Sequence, residues 1–102
     1  MANKHRGEIE AELGGRTYTL CLTLGALAGL EHAYGGEDLL SLAQRFEQGR
    51  ITATDAIRVI GAGLRGAGHH LSDDDVAAMP CAGGAPGYVL IVAKLLGATF
   101  AP

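Results

Sequence analysis

Polar and apolar residues alternate near the start of the chain, with Glu8, Glu10 and Glu12 interleaved with Ile9, Ala11 and Leu13. A repeat of two marks a strand with one wet and one buried face. A second alternating run covers residues 16–22, placing Tyr18, Leu20 and Leu22 on one side and Thr17, Thr19 and Cys21 on the other. Between the runs stand Gly14 and Gly15, and a two-residue type I′ turn needs positive φ at both central positions, which glycine supplies without steric cost. Such a turn sets Leu13 opposite Arg16, Ala11 opposite Tyr18 and Ile9 opposite Leu20, so both apolar rows fall on one face. An isolated hairpin is marginal in water, so the apolar face predicts helices packed over it.

Beyond the hairpin the spacing becomes helical. Thr23 reads as an N-cap for a helix running to Tyr34, with Leu24, Leu27, Leu30 and Tyr34 on its apolar row and Gly35-Gly36 as its stop. Gly25 and Gly29 lie four apart inside it. Each costs about 1 kcal/mol relative to alanine, which predicts that another backbone comes close there. A second helix is expected from about Asp38 to Gln48, with Leu39, Leu42, Ala43 and Phe46 inward and Gly49 ending it. Thr52-Ala-Thr-Asp55 has the form of a capping box and opens a third helix whose stripe is Ala56, Ile57, Ile60 and Leu64. Ser72-Asp-Asp-Asp75 repeats that grammar for a short helix ending before Pro80, its carboxylates facing a positive helix terminus. Cys81 to Gly87 reads as a small-residue loop, and Tyr88 to about Phe100 as a final helix apolar nearly all round. Such a helix is either central and buried or presents one apolar side to a partner. The fold class is therefore α+β and mostly helical, an N-terminal hairpin (8–22) on four or five short helices (23–102).

Composition bounds the rest. With 102 residues, 48% hydrophobic and 19% charged, the chain predicts one domain, since a chain this size hides roughly 60 to 70% of its unfolded surface around a single modest core. Two cysteines (Cys21 and Cys81), four histidines and no tryptophan are too few for a disulfide scaffold or a Cys-rich zinc module, and free thiols fit a reducing cytoplasm. The start Met1-Ala-Asn-Lys-His-Arg6 is basic but leads into Gly7 and the glutamates, not into the apolar run of a secretory signal. A net charge of −3 with no cluster of Lys or Arg argues against nucleic acid as a partner. Residues 85–102 carry one charge, Lys94. Their strong apolar residues, at about −0.3 to −0.6 kcal/mol each, are roughly cancelled by one central lysine at about +2.5 to +3.5, so no membrane insertion is expected.

Several strings invite a chemical reading. Gly61-Ala-Gly63-Leu-Arg-Gly66 matches the dinucleotide pattern G-x-G-x-x-G, but that site needs a helix starting at the glycines and an acidic residue about 20 positions on. Here the glycines run into Ala67-Gly68-His69-His70 and a new cap at Ser72. The reading that remains is a helix whose small face packs closely and then unravels. His69, His70, Asp73, Asp74, Asp75 and Cys81 include every ligand type a transition metal takes, which leaves a small metal-binding regulator as an alternative. Against it, adjacent histidines point apart, and the aspartates are accounted for by capping. Glu31 and His32 diverge by about 100° on a helix and form no dyad. Neither Ser41 nor Ser72 sits in a nucleophile elbow, and neither thiol has a neighbouring base. No catalytic residue and no cofactor is expected.

The order of features resembles that of the small tail assembly chaperone family of gene transfer agents and related siphophage-like prophages. The similar stretches, spread over residues 5–68, are His5-Arg6-Gly7-Glu8, Leu22-Thr23-Leu24-Gly25-Ala26-Leu27 leading to Leu30-Glu31, Asp38-Leu39-Leu40, and Gly61-Ala-Gly63-Leu64-Arg65-Gly66-Ala-Gly68. The resemblance implies a non-enzymatic role in building a phage-like tail. Its partner would be the tape measure protein, with tail tube protein as a second, and the chaperone would leave before the particle is finished. A helical, apolar client needs a reversible cover of small and aliphatic residues. Tyr88, Val89, Ile91, Val92, Leu95 and Phe100, with the Gly25/Gly29 ridge, are the candidates for that surface, and the all-round apolar last helix also suits self-association. A structural tail component or adaptor is the alternative within the same setting.

Overall fold

The computed structural model describes residues 2–3 and 6–100; His5 of the first similar stretch lies outside them. Strand β1 (Glu8–Leu13) and strand β2 (Arg16–Cys21) form an antiparallel hairpin. The register is the one expected from the turn, with Leu13 opposite Arg16, Ala11 opposite Tyr18 and Ile9 opposite Leu20. Gly14 and Gly15 take φ of 59° and 78°, the left-handed values a type I′ turn requires. Ile9, Ala11, Leu13, Tyr18 and Leu20 are all buried on the shared face. Leu22, expected as the end of β2, is buried just beyond it.

Among the described residues five helices follow: α1 (Leu24–Ala33), α2 (Leu39–Glu47), α3 (Ala53–Gly66), α4 (Asp73–Ala77) and α5 (Gly84–Phe100). Their starts are set locally. Thr23 Oγ1 accepts the Ala26 N–H at 3.1 Å and Asp38 Oδ1 the Ser41 N–H at 2.8 Å. Thr52 with Asp55, and Ser72 with Asp75, close full capping boxes. These hydrogen bonds to the backbone hold the Asp38 and Asp75 carboxyls below the ordinary carboxylate range.

Two expectations for α1 are corrected. Leu24 is 83% exposed, because as the first helical residue it lies off the end of the face that packs. Nothing but the neighbouring Thr23 hydroxyl comes within 4 Å of a methyl placed at Gly25, and nothing does so at Gly29. The helix turns Leu30 into the core, with Ala26 and Leu27 against it, and leaves both glycines on the outer side.

Close backbone approach is instead the property of α3 at Gly66; Gly63 lies on the same side against the hairpin and α5, while Gly61, about 200° round the helix from Gly63, faces α4. A methyl at Gly66 would overlap the Cys21 carbonyl oxygen, and one at Gly63 would stand 2.7 Å from Leu95 Cδ2 and 3.3 Å from Leu20 Cβ. A methyl at Gly61 would overlap the Asp73 carboxylate, which pairs with Arg65 at 3.0 Å. So α3 lies directly on β2, and Val59, Ile60 and Leu64 enter the core with it.

The last helix begins earlier than its apolar run. Gly84 has φ of 64°, and the chain is helical from there on, so Pro86 sits in the first turn, where the missing N–H is no loss. The loop expected over 81–87 is therefore shorter. Tyr88 donates its hydroxyl to the Met79 carbonyl, tying α5 to the segment that bridges β1 at Leu13–Cys81.

One polar node joins α1, α2 and α3. Asp55, in the first turn of α3, is buried. It accepts the Tyr34 hydroxyl on Oδ1 and the Thr52 N–H on Oδ2 at 2.9 Å, and Arg45 Nη2 of α2 lies 3.6 Å from Oδ1. Arg45 spreads over the rings of Tyr34 and Phe46, 5.6 and 5.3 Å from their centroids, and Arg58 covers Tyr34 at 5.0 Å. Burial alone would raise the Asp55 pKa. The Tyr34 and Thr52 hydrogen bonds and the Arg45 charge outweigh it and hold the carboxyl below its ordinary value. Burial, with the bond to Asp55, pushes the Tyr34 phenol up to about 12.

Substituting Gly66→Ala is expected to cost about 1–3 kcal/mol, since a backbone carbonyl has little room to yield. Gly29→Ala, in open space on a helix, is expected to add about 1 kcal/mol. Urea denaturation of the two variants should move in opposite directions. Tyr34→Phe removes a bond to a buried carboxylate and is expected to cost about 1.5–3 kcal/mol at neutral pH. Because the folded pKa of Asp55 is depressed, that contribution is full above the unfolded value of about 3.9 and fades as pH falls through the lower folded value. The gap between wild type and Tyr34→Phe should thus narrow in melts taken from about pH 5 to about pH 2.

Candidate functional site

The apolar content of α5 is divided between core and surface. Ile91, Val92 and Leu95 are buried, which removes Ile91 and Leu95 from any surface a partner touches without opening the fold; Val92 reaches only the floor of a groove. Val89, Leu90 and Phe100 are 44%, 56% and 40% exposed. Successive residues on a helix diverge by about 100°, so the run Val89-Leu90-Ile91-Val92 cannot be buried against one neighbour. The half facing α3 and the hairpin is covered.

Across from that uncovered half stands α2. Asp38 caps it so that Leu39 and Leu42 turn inward, which leaves Leu40 on the outer side, 64% exposed. Leu40, Ala43 and Phe46 from α2 face Val89, Ala93, Leu96, Gly97 and Phe100 from α5, with Ile51 closing one end. The result is a groove of about 570 Å³. Its polar lining is confined to Gln44 and Glu47 on the α2 side. A second hollow of about 310 Å³ lies between the start of α3, α4 and the start of α5, lined by Ile57, Ile60, Val76 and Tyr88 among others. Ile51 and Val89 line both and form the ridge between them.

The surface residues expected from the sequence are thus split. Val89, Val92 and Phe100 line the groove, and Tyr88 with Val89 lines the second hollow. Gly25 and Gly29 belong to a separate cleft of about 360 Å³ between α1 and α3, whose polar rim is Arg58, Arg65 and Asp73. It shares no residue with the groove. Sequence reasoning alone misses the α2 wall, Leu40 with Ala43 and Phe46. Its signal is the doublet Leu39-Leu40, which no single helix face accommodates.

The Asp55 node lies at the Ile51 end of the groove, beside a shallow cleft lined by Tyr34, Arg45, Arg50 and Thr52. Its carboxylate is held by three partners and is committed to joining helices. The residues weighed as metal ligands are engaged separately: Asp73 pairs with Arg65, Asp75 caps α4, and His69 stands edge-on to Tyr18 at 5.1 Å. Among the described residues, no three His, Cys, Asp or Glu side chains gather where a metal ion could be held. No helix among them is long and apolar enough to cross a membrane. What the arrangement offers chemically is apolar contact along one groove.

No curated protein and no solved structure matches the chain. Residues 6–102 match the model of the family described as phage tail tube protein, GTA-gp10. With nearly the whole chain covered, the protein belongs to this family and is a tail protein of phages and gene transfer agents.

Proposed function

We propose that this tail protein works during assembly, as a chaperone that covers an apolar helical segment of the tape measure protein in the α2–α5 groove. The observation that carries the reading is the groove itself, apolar along α5 and, on α2, at Leu40, Ala43 and Phe46, with large side chains left in water at Leu40, Val89 and Phe100. A soluble chain that keeps such a patch open uses it for contact. From Val89 to Phe100 the α5 wall runs about 16 Å, or three turns, which suits a client presenting apolar residues at i, i+3 or i+4, and i+7. Shape-matched apolar contact needs no nucleotide, and its reversibility lets polymerising tube subunits displace the cover. In this reading the protein is cytoplasmic, is not an enzyme and takes no cofactor.

A second reading has its own support. The family is described as a tail tube protein, and a structural tail component would turn the same groove toward a neighbouring subunit for good. Mass spectrometry of purified particles separates the two, because a chaperone is missing from them and a component is present.

The double variant Leu40→Asp/Val89→Asp puts one charge on each wall at exposed positions. Its stability should stay within about 0.5 kcal/mol of wild type for each change. Recovery of soluble, co-expressed tape measure protein should fall by about tenfold or more, as for loss of a contact worth roughly 2 kcal/mol. Tape measure protein that is equally soluble with wild type, with the variant and with neither would overturn the chaperone reading.

A further inference from the structure

The two rims of the α2–α5 groove differ in charge. On the α2 side Glu47 lines the groove beside Gln44. Glu37 and Asp38 stand exposed just ahead of Leu40, at the opposite end of the same helix. From Asp38 to Glu47 the chain advances nine helical positions, roughly 13 Å, so carboxylates stand at both ends of this wall. The ion pairs among the described residues are Arg45 with Asp55 and Arg65 with Asp73, and neither takes a carboxylate from this rim. Asp38 accepts the Ser41 N–H and hydroxyl, which hold its carboxyl below the ordinary range and keep it charged at neutral pH.

The cations nearby are turned elsewhere. Arg45 reaches to Asp55 and lies over the rings of Tyr34 and Phe46. Arg50 lines the separate shallow cleft with Tyr34 and Asp55. Among the described residues, no lysine or arginine lines the groove. On α5 the exposed Lys94 lies about 160° round the helix from the lining residue Leu96, on the shoulder turned away from α2. One rim is therefore acidic, and the other carries a lone cation.

Resting on the client reading above, we propose that the groove selects a basic amphipathic helix, one whose apolar stripe is flanked by Lys or Arg on the side that meets α2. Apolar contact along Leu40, Phe46, Val89 and Phe100 supplies the affinity, and the charged rim supplies the choice among apolar helices. The net charge of −3 draws a cationic segment from a distance as well. Because the rims differ in sign, a helix with cations on one flank lies in the groove in one direction; reversing it would set those cations against Lys94. A helix with carboxylates on the α2 flank meets Glu47 and Asp38 with like charge and is disfavoured. Each rim pair is exposed and weak by itself, so the selection comes from several together.

The test uses two synthetic helices of about 20 residues, long enough to hold their structure in water. They share one leucine stripe and differ on one flank, lysine in the first and glutamate in the second. Fluorescence anisotropy against the full chain should show the lysine helix binding about fivefold tighter or more at low ionic strength, with the gap closing as salt screens the rim. Glu47→Lys is exposed in the last turn of α2, where a cation suits the helix terminus, and it should narrow or reverse the preference. Glu12→Lys makes the same change of charge on the outer face of β1 and should leave most of the preference in place. Equal affinity of wild type for the two helices, or a preference that Glu47→Lys leaves unchanged, overturns the acidic-rim proposal and leaves the groove reading standing. Binding of neither helix overturns both. A lysine preference that responds to Glu47, found together with tape measure protein whose solubility is indifferent to this chain, keeps the acidic rim and removes that client.

Discussion

The contact on which the structure turns is that of α3 with β2, made without side chains on the helix. Gly66 lies against the Cys21 carbonyl, and Gly63 admits Leu20 from the hairpin and Leu95 from α5 to the same spot. A helix with larger residues at these two positions would have to stand further off, since even a methyl at Gly66 would overlap the carbonyl. Glycine inside a helix is costly. Here the cost is offset by the burial of Val59, Ile60 and Leu64 that the close approach permits.

The surface chemistry descends from that contact. With α3 against the hairpin, α5 can bury only the side that carries Ile91, Val92 and Leu95, and its other side is left in water. On the other side α2 is held by Leu42, buried on its inner face with Leu39 and Phe46 against the core, and by Arg45, which reaches across to Asp55 in the α3 cap and covers Tyr34 at the end of α1. The groove is the gap left between α2 and the uncovered side of α5.

A member of a phage and gene-transfer-agent tail family must meet other tail components. The groove between α2 and α5 offers apolar, shape-dependent contact for doing so.

Local chemistry is legible in the residues themselves. The hairpin register is set by Gly14-Gly15 and the alternation of Ile9, Ala11 and Leu13, and four helix starts are set by Thr23, Asp38, Thr52 and Ser72. Each depends on groups within a few positions of one another. The start of α5 lies ahead of the position its residues suggest, because Gly84-Ala85-Pro86-Gly87 has loop composition and is held in a helix by the apolar run from Tyr88 onward. Gly25 with Gly29 and Gly61 with Gly63 and Gly66 look alike as strings, yet only the second set meets a neighbouring element. In the same way the sequence by itself determined that α5 is apolar nearly all round, and only the tertiary structure decided which of its sides is core and which is groove. Packing is a contest between distant segments for the same buried space, and the order of residues along one helix does not record who its neighbours will be.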